Sequence, residues 1–441
     1  GQFRASFLQP GMYGVRASAP GFDDTELGDV SVKLGAGRQV VLVLQRTGAE
    51  ERIEEIEVVA SRVSKIDLFS SEAALTLDEA QIDMLPITRD ATAVILLTPG
   101  AVPGSEAFLN FDRSGRFASL GGASVAENAF YINGMNVTSF RDGLENTTVP
   151  FEFFQEFQVK YSGISAEYGR ATGGFINTVT KRGSNEFKYG VGAYVEPESL
   201  QATPPNIRGD DGRIGNIGSL ETRKKSEGYV YASGPIIRDR LFFYGIYNPR
   251  ELEAEFLGTA FFSNVSDDAF WGAKLDFELT PDHTFELTAF SDEADYVSAS
   301  FNYDQESLEI GEERGDLIFA RGGTTWILEY SGSIGRDLSL SVLAGRSEFD
   351  QSLYSLADQF PVIFDNRAPN FFRRLGSWAS TVQSSDYDER DVARIDLEWN
   401  AGRHLFRAGL DHESNNSFSE SRYSGDVGWI FWDATPGEQL L

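Results

Sequence analysis

The sequence predicts a mainly β protein that combines a partial β-sandwich, a small α/β unit and the first strands of an antiparallel transmembrane β-barrel. Three observations support this fold class. Strands with one apolar and one polar face recur from residue 185 onward, the links between them alternate between long and short, and aromatic residues lie on the apolar faces. High counts of Gly (44), Phe (34) and Tyr (16) also agree with sheet and tight turns.

Composition argues against several function classes. The 441 residues carry a formal net charge of −29, whereas a nucleic-acid binder normally shows a basic face. The chain has no Cys and three His, so it offers no thiolate nucleophile or Cys-ligated zinc, and little material for a histidine metal site or a Ser-His-Asp triad. We therefore expect a protein that is not an enzyme, with no catalytic residues, no metal site and no cofactor.

Residues 1–45 predict part of a β-sandwich. Strand-like segments at 3–8, 12–19, 30–34 and 39–44 are separated by turns that contain Pro or Gly. Such short strands form a poor core by themselves, so we expect the first part of the sandwich to lie before Gly1.

Residues 46–70 predict a linker that carries one apolar segment. The polar stretch 46–55 leads into the strand-prone segment EEIEVVA at 54–60. Two interpretations remain open for this segment: a last strand of the preceding unit, or an extended peptide that pairs with the sheet edge of a partner protein.

Residues 71–183 predict a compact α/β unit. Short helices are expected at 77–84 and 90–97, ended by Pro86 and by Pro99 with the following glycine. The strands expected in this unit lie at 117–122, 129–132, 157–161 and 175–180. The pair Asn133-Gly134 predicts a tight turn, because both residues tolerate positive φ. The glycines between 163 and 174 lack the lysine pattern of a phosphate-binding loop, which makes that alternative a weak one.

Residues 185–441 predict a run of about nine period-two strands. These strands are expected near 186–195, 227–234, 240–248, 269–279, 283–292, 322–332, 337–347, 390–400 and 403–413. The short links are 235–239, 280–282, 335–336 and 401–402, and the long links run through 196–226, 249–268, 293–321 and 348–389. Periodicity alone fits both a soluble sandwich and a barrel. The long–short rhythm favours the barrel, as do the aromatic residues Trp271, Trp326, Tyr330 and Trp399, which are typical of a membrane-interface girdle.

Several motifs, in order, resemble those of TonB-dependent outer-membrane transporters. Leu96-Leu97-Thr98-Pro99-Gly100 resembles a plug-domain segment of that family. GRFASLGG at 115–122 with YING at 131–134, and FQVK at 157–160 with EYGRATGGFINTVTKRG at 167–183, resemble two further plug signatures. The family's Ile-Arg-Gly motif reads Gly115-Arg116-Phe117 here, and its Asp-Gly motif reads Asn133-Gly134.

Two flanking segments indicate the Oar-like subgroup. LQPGMY at 8–13 with APGF at 19–22 resembles the end of a carboxypeptidase-regulatory-like β-sandwich, and SGPIIRDRLFFY at 233–244 is similar to the first periplasmic hairpin of the subgroup. The resemblance implies a barrel of about 22 strands, so we expect the remaining strands beyond Leu441. It also implies four units: a partial carboxypeptidase-regulatory-like sandwich (1–45), a linker with a TonB-box-like peptide (46–70), a plug (71–183) and the N-terminal part of the barrel (185–441).

The resemblance implies a function and a location. A receptor in the outer membrane of a Gram-negative cell captures an extracellular ligand, and TonB with its inner-membrane motor proteins moves the plug to admit that ligand to the periplasm. The plug and N-terminal domain would be reached from the periplasm, and the long loops would be extracellular. The expected partners are TonB, the lipid bilayer and an unidentified ligand, with no nucleic acid. The residues expected to contact TonB are Glu55, Ile56, Glu57, Val58, Val59 and Ala60.

Further site residues follow from the same resemblance. The residues expected between plug and barrel are Arg116, Lys181 and Arg182, and the candidate ligand-binding residues are Asn110, Phe111, Arg113, Asn128, Phe140 and Arg141. Two other functions stay open at this point: an outer-membrane protein of the same architecture with a structural, adhesive or secretion-assisting role, and a soluble β-rich binding protein.

Overall fold

We describe the protein from a computed structural model. The described residues are 8, 10–32, 40–46, 73–85, 87, 89–104, 117–144, 147–164, 169, 171–203, 205–208, 214–257, 261–303, 309–355, 362–366, 373–375, 382–426 and 428–432.

The N-terminal unit is an antiparallel hairpin of two strands, β1 (Gly11–Ala17) and β2 (Thr25–Val32). The strand predicted at 39–44 is wrong for residues 40–44, which form no strand. They are held beside the hairpin by isolated contacts instead of a ladder: the Thr25 hydroxyl donates to the Val43 carbonyl at 3.2 Å. The assignment of this hairpin to a carboxypeptidase-regulatory-like sandwich stays a prediction.

The α/β unit is built around a five-stranded sheet. Its elements are β3 (Ala73–Asp78), α1 (Glu79–Met84), α2 (Ala91–Ile95), β4 (Ala101–Pro103), β5 (Ala118–Leu120), β6 (Ala129–Ile132), β7 (Met135–Asn136), β8 (Phe154–Ser162) and β9 (Phe175–Thr180). The sheet order is β3-β8-β9-β6-β7, which places β3 at one edge, while β4 and β5 form a separate pair. We call this unit the plug.

Both short helices of the plug begin at an aspartate that caps the first turn. Asp78 Oδ1 accepts from the Gln81 N–H at 3.0 Å, and Asp90 Oδ1 accepts from the Ala93 N–H at 2.8 Å. The two predicted helices are therefore confirmed, although both are shorter than expected. Among the described residues, no helix is long and apolar enough to cross a membrane.

The rest of the described chain forms one large antiparallel sheet with small loop sheets beside it. Its strands are β10 (Lys188–Glu196), β11 (Asn206–Arg208), β12 (Ile214–Ile217), β13 (Thr222–Ile237), β14 (Leu241–Leu257), β15 (Phe261–Thr280), β16 (His283–Ser291), β17 (Ala294–Tyr303), β18 (Ile310–Arg321), β19 (Thr324–Ile334), β20 (Leu338–Asp350), β21 (Leu353–Tyr354), β22 (Val362–Asn366), β23 (Arg373–Leu375), β24 (Val382–Ala401), β25 (His404–Tyr423) and β26 (Gly428–Trp432). The large sheet, which we call the wall, has 12 strands, from β10 at one edge to β25 at the other.

Six of these 12 strands form three pairs, β16–β17, β18–β19 and β20–β21, in which the second strand continues the first after a break of two residues. We count each such pair as one strand path, which gives the described wall nine strand paths, the predicted number. The breaks at 292–293, 322–323 and 351–352 lie side by side. The Asp292 N–H donates to the Gly323 carbonyl at 3.2 Å, and the Asp350 N–H donates to the Gly322 carbonyl at 2.8 Å. The wall thus has one irregular level that crosses three adjacent strand paths.

The two faces of the wall differ in polarity as the periodicity predicts. Polar side chains on one face are buried, including Lys274, Asp276 and Glu398, which are at most 3% exposed. Apolar side chains of the other face are exposed, and seven of them are between 39 and 49% exposed: Trp271, Leu275, Leu287, Trp326, Leu328, Ile395 and Trp399. This exposure excludes the sandwich interpretation, in which the apolar rows would press against a second sheet. The wall is therefore part of a barrel whose apolar face meets lipid.

The short links are confirmed and the long links are partly wrong. The turns after β13, β15, β19 and β24 occupy 238–240, 281–282, 335–337 and 402–403, and they define the turn end of the wall. At the opposite end, the loop end, β14 and β15 continue as a ladder through most of the predicted link 249–268. The alternation of apolar side chains stops where the wall leaves the hydrocarbon layer. Hydrogen bonds between the strand backbones do not depend on this alternation, so the strands continue beyond that layer. Cross-strand charge pairs such as Lys224–Glu253, 3.2 Å apart, support these extensions.

The outward direction of Leu397 gives a first testable prediction. Arginine at this position of β24 is expected to cost about 2–4 kcal/mol of folding free energy, because a charge would then lie near the middle of the lipid layer. Folding into lipid vesicles, followed by the heat-modifiable shift on a gel, measures the effect. Ser385→Arg on the outward face of the same strand, beyond the apolar belt, is the matched control and should be close to neutral. Normal folding of the Leu397 variant would show that the face assignment is wrong.

Candidate functional site

The plug is anchored to the wall by one buried aromatic side chain. Phe153 is fully buried, and its ring centroid lies 5.5 Å from that of Phe270, 5.9 Å from that of Phe290 and 6.2 Å from that of Tyr244. Gly272 makes room for this ring, since a Cβ there would come within 2.8 Å of it. Sequence reasoning did not single out Phe153, because no local pattern marks its partners.

A second contact joins the tight turn of the plug to the wall. Asn133 has a φ of 45°, as the turn requires, and its amide Nδ2 donates to Thr180 Oγ1 at 2.7 Å and to Thr288 Oγ1 of the wall at 2.9 Å. Its Oδ1 accepts from the Thr180 N–H at 2.9 Å. The Asn133 side chain therefore links the plug directly to the wall, with its amide nitrogen as donor and the threonine hydroxyls as acceptors.

Arg141 forms the most extensive polar contact between plug and wall in the described chain. Its guanidinium donates from Nε and Nη2 to the two oxygens of Asp388 on β24, at 3.0 and 2.6 Å, and from Nη1 to Asp386 at 3.2 Å. Nη2 also lies 3.0 Å from Ser417 Oγ and from the Phe418 carbonyl on β25. The hydrogen bond to Asp388 raises the pKa of Arg141 above its ordinary value. Sequence reasoning expected Arg141 in ligand binding, and that role stays a prediction beside this contact with the wall.

Removing the Arg141 side chain is expected to loosen the plug on the β24 side. Arg141→Ala leaves Asp388, whose side chain is 6% exposed, without its bidentate partner, which should cost about 1.5–3 kcal/mol. Hydrogen exchange of the amides at 139–144 should then accelerate by about tenfold or more. Arg346→Ala is the matched control, because Arg346 and Asp391 form a half-exposed pair on the outer surface and its loss should cost less than about 1 kcal/mol. Equal protection in both variants would contradict the anchoring role.

Two of the three cationic residues expected between plug and wall belong to the described chain, and they have different partners. Arg182 Nη2 lies 3.3 Å from Glu278 Oε1 of β15, which is a wall carboxylate. Lys181 Nζ lies 2.7 Å from Glu79 Oε1, within the plug, and 5.9 Å from the ring centroid of Tyr231 on the wall. Lys181 thus reaches the wall through an aromatic face. Arg116 lies outside the described residues.

The predicted ligand-binding residues are only partly described. Asn128 is 3% exposed and joins two plug segments: its Nδ2 donates to the Ala118 carbonyl at 2.8 Å and its Oδ1 accepts from the Gly174 N–H at 2.9 Å. Phe140 lies beside the wall, with the Arg390 guanidinium 5.4 Å from its ring centroid. Asn110, Phe111 and Arg113 lie outside the described residues, as do the predicted TonB-contact residues 55–60.

A buried carboxylate at the irregular level of the wall also holds the plug. Asp292, 4% exposed, accepts from the Thr148 N–H of the plug at 2.6 Å and from the Gly323 N–H at 3.1 Å. Arg250 Nη1 donates to the Thr148 carbonyl at 3.0 Å, so the plug backbone at this point contacts a wall cation and a wall anion. Sequence reasoning missed this contact because 144 residues separate Thr148 from Asp292.

Two cavities lie between the plug and the inner face of the wall. The outer cavity, of about 260 Å³, lies toward the loop end and is lined by basic and acidic side chains, among them Arg89, Lys225, Arg250, Glu227 and Asp268. The inner cavity, of about 590 Å³, lies toward the turn end between plug, wall and the N-terminal hairpin. Gln155 Nε2 of the plug donates to the Pro10 carbonyl at 2.9 Å, which holds the hairpin there. Within the described residues, no group of three or more His, Cys, Asp or Glu side chains is placed to hold a metal ion.

Comparison with curated proteins finds a similar transporter. The chain is 26% identical over 258 residues to the TonB-dependent transporter Oar of Myxococcus xanthus. The match includes 56% of this chain and 23% of that protein, so the chain spans about a quarter of the length of its relative. No protein-family model matches the chain.

Comparison with solved structures shows the same fold. The outer membrane transporter YddB from Escherichia coli matches 80% of this chain and 54% of its own length, with a TM-score of 0.52 and 14% identity. The P. aeruginosa FpvA structure bound to a heterologous pyoverdine matches 80% of this chain and 43% of its own length, with a TM-score of 0.51 and 13% identity. The chain thus spans about half the length of these structures.

Proposed function

We propose a function for this chain on the premise that it is a segment of a TonB-dependent outer-membrane receptor. It lies in the outer membrane, with the turn end of the wall toward the periplasm and the loop end outside the cell. Its relatives are transporters and receptors, and the chain is not an enzyme. The whole protein takes up an extracellular ligand and passes it to the periplasm when TonB displaces the plug.

The position of β3 in the plug sheet carries this proposal. β3 is the described plug element closest in sequence to the predicted TonB-contact peptide at 55–60, and it is the edge strand of the five-stranded sheet. Its six residues pair with β8 alone. Force applied to the peptide would therefore reach a short edge strand, which can separate from β8 without breaking the pairing of β8, β9, β6 and β7. Phe153 would meanwhile keep the rest of the plug on the wall.

Interaction with TonB is expected to use backbone pairing. TonB-dependent receptors interact with TonB, and residues 55–60 offer the β-branched side chains Ile56, Val58 and Val59 in a polar stretch of sequence. A peptide that adds a strand to a partner's sheet gains affinity from main-chain hydrogen bonds, which sustain a pull along the chain. The inner-membrane motor proteins behind TonB supply the energy, because the outer membrane has no ion gradient of its own.

Ligand capture is assigned to the outer cavity and the plug residues near it. The cavity opens toward the loop end and combines ring faces, carboxylates and guanidinium groups around one space. Such a mixture of apolar and oriented polar groups is typical of a small-ligand site. The predicted residues Asn110, Phe111, Arg113, Asn128, Phe140 and Arg141 belong to this proposal as candidates.

Uptake by a deletion strain tests the proposed function. The strain that lacks the full-length gene is compared with the complemented strain on labelled metal chelates, glycans and peptides. We expect the complemented strain to take up one class in an energy-dependent manner, and the deletion strain to fail. Equal uptake of every class, together with a defect in surface assembly or secretion, would instead support the structural or secretion-assisting role.

A further inference from the structure

Four tyrosine side chains form a descending stack on the inner face of the wall. Tyr194 of β10, Tyr229 and Tyr231 of β13 and Tyr244 of β14 follow one another with ring centroids 6.0, 6.4 and 5.9 Å apart. Their interplanar angles are 24°, 20° and 17°, so successive rings are nearly parallel. The register of the three strands moves each ring closer to the turn end than the one before it. We call this stack the tyrosine ladder.

Glycines on β10 make room for the middle of the ladder. A Cβ on Gly190 would come within 2.6 Å of the Tyr231 ring, and a Cβ on Gly192 would overlap the Tyr229 ring. These two rings therefore lie against the bare backbone of β10. Any larger residue at either glycine would push a ring toward the plug.

The ladder connects the two cavities. Tyr194 lines the outer cavity, whereas Tyr231 and Tyr244 line the inner cavity. A continuous row of aromatic faces thus runs from the extracellular side of the plug to its periplasmic side. This row lies at the boundary between plug and wall.

A plug cation occupies the upper end of the ladder. The Arg89 guanidinium carbon lies 4.2 Å from the Tyr194 ring centroid and 5.4 Å from that of Phe151, and Arg89 is ion-paired with Glu152. The Glu152 side chain is 9% exposed. We call Tyr194, Phe151 and Glu152 the Arg89 cage. Two ring faces and a buried carboxylate are the groups that recognise a guanidinium or ammonium ion.

Arg89 and the residues of its cage are attached to different parts of the protein. Phe151–Phe153 is fixed to the wall through the aromatic contacts of Phe153, and Tyr244 Oη donates to the Glu152 carbonyl at 2.5 Å. Tyr194 is itself a wall residue. Arg89 lies in the first plug segment, 73–95, which includes the edge strand β3 and follows the pulled peptide. Withdrawal of that segment removes Arg89 and leaves the cage in place.

We propose that the Arg89 cage is a binding site for a guanidinium group of an arginine-bearing peptide, and that Arg89 is its built-in competitor. Below the cage, the partly buried rings of Tyr229 and Tyr231 would then contact the rest of an extended cationic chain. The net charge of −29 attracts such a ligand to the protein. This proposal rests on the transport function proposed above, because displacement of the first plug segment opens the cage.

The competition is measured by binding to the purified full-length receptor in detergent. The probes are N-acetyl-argininamide and tri-arginine, with the uncharged citrulline counterparts as matched controls. Arg89→Ala should bind both arginine probes about tenfold more tightly than the wild type, because its cage is empty. Tighter binding of tri-arginine than of the single residue would indicate that the ladder contributes to affinity. Equal affinity for the two probes would limit the ligand to one guanidinium group and overturn the peptide part of the proposal.

Further variants separate the cage from a general loosening of the plug. Arg89→Lys keeps a cation in the cage and should bind as weakly as the wild type. In the Arg89→Ala background, Glu152→Gln and Tyr194→Ala should each lose the gained affinity, whereas Tyr194→Phe should keep it. All variants are first checked for the heat-modifiable shift of the folded barrel.

Two results would overturn the proposal. One is no gain in arginine binding by folded Arg89→Ala, and the other is equal binding of arginine and citrulline probes. These measurements need neither TonB nor uptake, so their failure would leave the proposed transport function untouched. Conversely, loss of uptake with normal arginine binding would contradict only the transport function.

Discussion

A disulfide between positions 76 and 158 is expected to stop uptake, and its reduction is expected to restore it. Thr76 of β3 and Gln158 of β8 face each other in the plug sheet, and Gln158 Nε2 donates to Thr76 Oγ1 at 3.3 Å. Paired Cα atoms of antiparallel strands are about 4.5–5.5 Å apart, which suits a disulfide. The chain has no Cys, so the substituted pair Thr76→Cys and Gln158→Cys has no competing thiol within these 441 residues. The covalent bond would prevent β3 from separating from β8 under force.

The matched control places the same cysteine in a pair that should stay together. Gln158→Cys with Asn177→Cys joins β8 to β9, which both lie in the part of the plug that Phe153 holds to the wall. This disulfide should leave energy-dependent uptake near the wild-type rate in oxidising medium. Rapid uptake by the oxidised 76–158 variant would contradict separation of the first plug segment and favour displacement of the plug as one body.

Proline at position 58 is expected to abolish TonB binding and uptake. Val58 lies in the middle of the predicted contact peptide 55–60, and proline has no N–H to donate to a partner strand. The loss should be nearly complete, because one missing backbone hydrogen bond at the centre of a short strand divides the paired peptide into two segments. Each segment is then too short to bind the partner strand. Capture of the variant by the immobilised C-terminal domain of TonB, together with uptake in cells, measures both effects.

Side-chain changes in the same peptide provide the control. Val58→Thr keeps the backbone donor and the β-branched shape, so it should bind TonB at close to the wild-type level. If Val58→Pro is captured by TonB as well as the wild type, residues 55–60 are not the contact peptide. Normal heat-modifiability of both variants is expected, since the substitution lies before the plug.

Local pattern was sufficient for the strands and the faces of the wall. The alternation around Leu275 and Ile395 predicts which side chains point outward, because successive residues of a strand face opposite sides whatever the strand pairs with. The turn at Asn133-Gly134 and the helix starts at Asp78 and Asp90 are equally local. Strand ends at the loop end were not predictable in this way, because backbone pairing there continues without apolar alternation.

The contacts between plug and wall have no local signature. Arg141 and Asp388 are 247 residues apart in the chain, and each looks like an ordinary surface charge in its own segment. The Phe153 ring packs against the wall only because Gly272, on a strand distant in sequence, has no side chain. The Arg89 cage likewise brings a plug cation to a wall tyrosine. Motif resemblance indicated that such contacts exist and named Lys181 and Arg182, which both contact the wall, but it did not single out Phe153 or Asn133.

The sequence by itself determined the two-faced strands of the wall, the short turns between them and the motif order of a separate plug, and it favoured a barrel over a sandwich, because period-two alternation, turn residues and motif order are properties of neighbouring residues. Only the tertiary structure decided which side chains hold the plug, where the two cavities lie and which cation fills the aromatic cage. Those features depend on the register of long-range strand pairing, which places residues more than a hundred positions apart within hydrogen-bond distance.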